Sequence, residues 1–151
     1  MSEILEVYKA ARIFMQNSGN PSQWGDSYPD KGTVLNDIKL NQSYVCFCDG
    51  KIAGVFAFIN GPDKDYDVIE NGNWLNEKPY AVMHRLAVRV FNKGVASSCL
   101  DWCLSNVNNI RIDTHKSNIP MQKLLLKKGF VQCGTVYVRG GKKRIAFQKS
   151  I

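Results

Sequence analysis

The residues whose types and spacing could do chemistry lie between His84 and Phe130. A short apolar strand ending at Val88 runs through a turn holding Lys93 and Gly94 into a helix that starts near Val95. The first N–H groups of a helix lack intrahelical partners and sit at the positive end of its dipole, so such a turn can cradle a phosphate group. Gly94 lets a ligand approach the backbone closely. Ala96, Ser97 and Ser98 leave the first helical turn uncluttered, and Lys93 adds a cation. Taken alone, this turn has a second reading, a glycine placed for backbone reasons only. A second unit follows: a strand near Ile110 to Thr114, a polar turn with Ser117 or Asn118 as cap, a helix with Pro120 in its first turn, and a stop at Gly129.

Together these two units resemble the GNAT superfamily of N-acetyltransferases. The resemblance rests on the strand Leu86-Ala87-Val88, the turn Lys93-Gly94-Val95-Ala96 opening a helix, and Asn118 followed by Met121, Leu124, Leu125 and the Gly129-Phe130 pair. It implies an acetyl-CoA site. The backbone of Leu86, Ala87 and Val88 would pair with the pantetheine arm, and the amides of Asn92, Lys93, Gly94, Val95, Ala96 and Ser97 would hold the pyrophosphate. Asn118 would meet the cofactor where two central parallel strands splay apart. The chain departs from the family pattern in three places: Phe91 and Asn92 stand where Gln or Arg and Gly are usual, the segment from Val88 to Lys93 is shorter, and Leu125 takes the place of a tyrosine that often serves as general acid.

The activity this implies is transfer of an acetyl group to a primary amine, of a small molecule or an exposed protein amine, by direct attack in a ternary complex. The alternative is a module that binds acyl-CoA without turnover. Transfer needs a base, because an alkylamine with a pKa of about 10 is protonated at neutral pH. His84 is the preferred candidate, since imidazole ordinarily titrates near pH 6.5. Superfamily members that acetylate arylalkylamines also place a histidine just ahead of this strand. The competing reading is a buried histidine bonded to backbone. His115 and Asp113 are reserve candidates. Strict alternation along the strand would put Val82, His84, Leu86 and Val88 on one face and Met83, Arg85 and Ala87 on the other.

The elements that must position these groups follow from pattern. Glu3 to Asn17 has helical periodicity, ended by Gly19 and Pro21. Asn20 to Gly32 is turn-rich but carries Trp24 and Tyr28, which either cap the core or wall the acceptor pocket. A short helix from Val34 to Leu40, with Thr33 as cap, precedes two strands, Ser43 to Cys48 and Ile52 to Ile59, joined by the hairpin signal Asp49-Gly50. The polar stretch from Gly61 to Lys78 is expected to lie over the acceptor side, with Trp74 as a further substrate contact. Val131 to Val138 and Arg144 to Gln148 form a closing hairpin around Gly140-Gly141. The expected fold is α/β (α+β), a central mixed, mostly antiparallel twisted sheet flanked by about four helices. The resemblance adds that the family's usual first strand is missing ahead of the first helix, or that the start is trimmed.

The 151 residues suit one domain, 1–151. Twenty Lys and Arg against 13 acidic residues give a net charge of +7, which suits a polyanion such as CoA. The lysines are scattered and no aromatic RNA motif occurs, so nucleic acid is not an expected partner. The five cysteines, an odd number without a signal peptide or an apolar run of membrane length, point to a reduced, cytoplasmic protein that does not engage a membrane. Cys99 and Cys103 share a helix but lack a second ligand pair, and the aspartates around Tyr66 lack the glycine and glutamate of a calcium loop, so no metal is expected. Dimers are common in the family, so a homodimer is a possible arrangement.

Overall fold

The computed structural model describes all 151 residues, Met1–Ile151. Helices α1 (Ser2–Asn17) and α2 (Lys31–Lys39) come first, and every strand follows them. These are β1 (Ser43–Cys48), β2 (Lys51–Asn60), β3 (Ala81–Val88), β4 (Asn109–Thr114), β5 (Val131–Val138) and β6 (Lys142–Ser150), with α3 (Val95–Asn106) and α4 (Ile119–Lys127) between them and a short 3-10 turn at Lys64–Tyr66. They form a six-stranded sheet in the order β1-β2-β3-β4-β6-β5. All neighbours are antiparallel except β3 and β4. This is the mixed, mostly antiparallel sheet with four helices that the sequence pattern predicts. No helix is long and apolar enough to cross a membrane.

Helices cover both faces. Leu100 and Cys103 of α3 and Leu125 of α4 pack with Phe130 on Phe56, Met83, Ile110, Ile112 and Phe147. On the other face Ile4, Val7, Tyr8 and Ala11 of α1 pack with Trp24 and Val34 on Val55 and Ala87. Beyond α1 that second face is covered by the long loop after β2, whose Tyr66 is buried against Val82, Val136, Val138 and Ala146. Asp49 and Gly50 both adopt positive φ, 53° and 77°, the geometry a two-residue hairpin turn requires.

Two local details correct the sequence reading. Helix α2 starts at Lys31 rather than Val34, and its cap is Asp30, whose Oδ1 accepts the Thr33 N–H at 2.8 Å. An aspartate at that position satisfies an N–H that would otherwise be orphaned, so the helix begins before Thr33. The alternation along β3 also breaks. Val55 pairs with Ala87 but Ala57 with His84, leaving Phe56 opposite both Arg85 and Leu86. Arg85 sits at φ 55°, and the extra residue reverses the facing of everything after it. Leu86 and Val88 therefore pack on the α3 and α4 side with Met83, while Ala87 packs under α1.

Candidate active site

Strands β3 and β4 pair only at Ala81 with Ile110 and Val82 with Arg111, then separate. The β4-facing edge of β3 beyond Val82 is thus free of strand partners, at the mouth of a cleft of about 330 Å³. Its walls include Leu86, Ala87, Val88, Asn92, Gly94, Val95, Ala96, Ser97 and Asn118. All of these are positions that the sequence resemblance assigns to the cofactor. Lys93 is exposed on the same turn but does not line the cleft.

The floor of this cleft is built by close approach. Gly94 caps α3 at φ 69° and no side chain caps that helix, so the amides of its first turn have no partner within the protein. A Cβ on Gly94 would meet no atom within 4 Å, so glycine serves there for its φ and not for space. At Gly54 the reason is space: a Cβ would lie 2.8 Å from Val95 Cγ1, so only glycine lets α3 begin this close to β2. Apolar side chains line the remainder, including Met15, Met121, Leu124 and the pair Phe14 and Phe91, which stack with centroids 4.7 Å apart.

A second cavity, about 310 Å³, meets the first at Met15, Leu86, Asn118 and Met121. Its walls are polar and include His84, Arg85, Asp63, Asp113, Arg139 and Arg144, with Trp24 and Tyr28. His84 Nε2 lies 2.8 Å from Asp63 Oδ2. Asp63 is held in turn: its Oδ1 accepts the Asp65 N–H at 2.9 Å and its own N–H donates to Tyr80 Oη at 2.8 Å. Burial pushes the Asp63 carboxyl up, but the His84 hydrogen bond and charge, the Asp65 amide and Arg85 outweigh it and hold the group below the usual carboxylate range. An ionised carboxylate can only accept, so the shared proton sits on Nε2. In the neutral ring Nδ1 is then the acceptor nitrogen, and no hydrogen bond within the protein engages it.

The reserve residues lie differently. Asp113 lines the second cavity, where it accepts Tyr66 Oη at 2.6 Å. Burial and Asp113 raise the Tyr66 phenol well above its ordinary value, so it stays a donor. His115 lies outside both cavities: Nδ1 accepts the Ser117 N–H at 3.0 Å, and Nε2 lies 3.3 Å from Ser22 Oγ. Trp74 is also outside both, stacked 4.3 Å from the Arg111 guanidinium and donating to the Tyr66 carbonyl. Asn118 does double work, its Oδ1 capping α4 at Met121 and its Nδ2 donating to Gln23 Oε1 at 2.9 Å. Leu125 is fully buried beneath α3 and faces neither cavity.

Sequence reasoning missed Asp63, Arg85, Arg139, Arg144 and Gln23. Arg85 adjoins His84 and Gln23 adjoins Trp24, both already singled out. The Arg85 guanidinium makes a bidentate pair with Asp37 at 2.6 and 2.9 Å and reaches Tyr28 Oη at 3.2 Å. The buried thiols of Cys99 and Cys103 are pushed up to about 12 by desolvation, which leaves them poor nucleophiles.

No family model and no curated protein matches the sequence. Solved structures do. A GNAT-family acetyltransferase from Streptococcus agalactiae superposes with a TM-score of 0.89 and 31% identity, over 99% of this chain and 89% of that one. A GNAT-family acetyltransferase from Listeria monocytogenes shares the fold at a TM-score of 0.70 and 19% identity, over 99% and 88% of the two chains. An N-acetyltransferase from Staphylococcus aureus shares it at 0.66 and 16% identity, over 99% and 91%. With 31% of its residues identical to the streptococcal protein over nearly the full length of both chains, this protein belongs to the GNAT family of acetyltransferases.

Proposed function

We propose that the protein transfers the acetyl group of acetyl-CoA to a primary amine by direct attack in a ternary complex. The observation that carries this reading is the meeting of an apolar cleft and a polar, histidine-bearing cavity at Leu86, Asn118 and Met121. The residues of the cleft fit acetyl-CoA: uncapped amides at the start of α3 suit a pyrophosphate, and the unpaired edge of β3 suits the amides of a pantetheine arm. Bound there, acetyl-CoA would supply an acetyl group activated as a thioester.

The chain's own part is to hold and move protons. An acceptor amine enters the second cavity as an ammonium ion, and His84 Nδ1 takes its proton directly or through one water. Asp63 holds the ring in the tautomer that leaves Nδ1 free and offsets the imidazolium charge. Free N–H groups on the β3 edge are the donors available to a carbonyl oxygen that gains charge as the C–N bond forms. The C–S bond then breaks, the nitrogen gives up its second proton to solvent, and the thiolate takes a proton from solvent, since Leu125 offers none. Burial and high thiol pKa values argue against a covalent intermediate on Cys99 or Cys103.

One observation favours binding without turnover, namely that α4 presents buried Leu125 where the family often has an acidic phenol. Release of free thiol from acetyl-CoA with and without a panel of primary amines separates the two readings. Amine-dependent release is expected; acetyl-CoA binding with no release for any amine would favour the second reading.

A further inference from the structure

The acceptor cavity carries its charges in an ordered way. Asp63 and Asp65, from the loop after β2, stand with His84 on the β2 and β3 side. Arg139 and Arg144, from the β5 and β6 hairpin, stand on the far side, and the sheet order puts β4 between the two groups. Arg85 also lines the cavity, but its charge is matched by Asp37.

The two hairpin arginines are not matched in this way. Both guanidinium groups donate to the same carbonyl, that of Gln23, at 3.1 Å from Arg139 and 2.8 Å from Arg144, so like charges are held side by side. Arg144 is only 4% exposed, and its one carboxylate neighbour is Asp113 at 3.9 Å. That carboxylate already accepts Tyr66 Oη at 2.6 Å. Arg139 has no carboxylate partner and is propped 3.7 Å above the Tyr28 ring. Adjacent guanidinium groups beside a cavity, one of them buried, with less than one full countercharge are costly unless an anion arrives. A neighbouring surface pocket extends the same field: it is lined by Lys116, Lys142, Lys143 and Arg144 with His115, and no carboxylate belongs to its wall. The His115 imidazole is held below its ordinary value by burial and by Arg144 and Lys116, as expected in a positive field. These cations lie outside the cleft at the start of α3, so the acetyl-CoA reading does not use them.

We propose that the acceptor is a small amine that itself carries an anionic group, carboxylate or phosphate. Arg139 and Arg144 bind the anion while the amino group lies toward His84 and Asp63. The inference rests on the acetyl-transfer reading for the amine, but the anion site stands on its own charges. A cavity of about 310 Å³ is at the small end for ligand pockets, which suits a compact acceptor. Arg139 is the specificity-determining residue, because a guanidinium without a countercharge gains most from an incoming anion.

The test uses matched acceptors that differ only in the anion: β-alanine against propylamine, and O-phosphoethanolamine against ethanolamine. Thiol release should give a kcat/KM for one or both anionic members about tenfold or more above the neutral partner, the worth of a charge-assisted hydrogen bond. Which pair shows it tells carboxylate from phosphate. In Arg139→Gln the ratio should fall to about threefold or less, with Arg139→Lys intermediate. Calorimetric titration of the unliganded protein with propionate and inorganic phosphate supplies a readout independent of turnover, and heat lost in Arg139→Gln supports the anion site. If no amine releases thiol while this heat remains, the acetyl-transfer reading fails and the anion site survives. Equal turnover of the paired amines, a preference that persists undiminished in Arg139→Gln, or absence of anion binding together with absence of preference would overturn the proposal.

Discussion

His84 and Asp63 meet at 2.8 Å although 21 positions separate them in sequence, because the loop after β2 folds back over the start of β3 and is pinned there by Tyr80. On the acetyl-transfer reading this contact makes Asp63 a positioning residue for His84. In Asp63→Asn the ring loses the partner that keeps the proton on Nε2, and kcat should fall by about 10- to 1,000-fold, within the range that general-base catalysis supplies. The KM for acetyl-CoA should stay unchanged, since Asp63 does not line the first cleft. A merely structural role would instead raise both KM values and leave kcat at saturation little changed.

The same carboxylate predicts a pH effect on stability. Its folded pKa is depressed, so its contribution is present above the unfolded carboxylate value of about 3.9 and is lost as pH falls through the lower folded value. Melting temperature measured against pH should therefore fall less steeply at the acid end in Asp63→Asn than in the unsubstituted protein. Parallel acid limbs would show that Asp63 gains nothing from folding.

Gly54 tests how α3 is seated. A methyl group there would lie 2.8 Å from Val95 Cγ1 and 3.3 Å from the Ala87 carbonyl oxygen. Gly54→Ala should destabilise by about 1–3 kcal/mol in denaturant unfolding and weaken acetyl-CoA binding, because the start of α3 must shift. Unchanged stability would mean that Val95 moves aside at no cost.

Arg85 and Asp37 form a bidentate pair with side chains 12% and 5% exposed. Asp37→Ala strands a buried guanidinium at the bulge, at a cost of about 3–5 kcal/mol in unfolding free energy. A change under about 1 kcal/mol, the range of a surface pair, would contradict that picture.

The five cysteines divide by burial: Cys99, Cys103 and Cys133 are buried, Cys46 and Cys48 half-buried. Burial raises all three buried thiols, Cys99 and Cys103 to about 12. A thiol reagent at neutral pH should label Cys46 and Cys48 first, and the other three only on unfolding. Early labelling of Cys99 would reopen a cysteine route for acetyl transfer.

The apolar cleft was legible in the sequence because its parts are local. Leu86 to Val88, the turn to Ser97 and the Asn118 cap each lie within one strand-turn-helix unit, where glycine, small residues and a cap carry the signal. The polar cavity was not legible in the same way. Gln23 and Asp63 come from two separate loops and Arg139 and Arg144 from the β5 and β6 hairpin, and only tertiary packing brings the three segments together. The bulge at Arg85 was hidden for a different reason: positive φ on an arginine has no sequence signature, yet it reverses the facing of Leu86 and Val88. Trp74 carried the expected aromatic character but serves the packing of Tyr66 and Arg111.

The measurement that bears most directly on acetyl transfer through this site is the turnover of His84→Gln at saturating acetyl-CoA, with the dissociation constant for acetyl-CoA measured in parallel. Loss of proton abstraction should reduce kcat by about 100-fold or more with unchanged acetyl-CoA affinity. Turnover equal to that of the unsubstituted protein would remove His84, and the dyad with it, from the reaction.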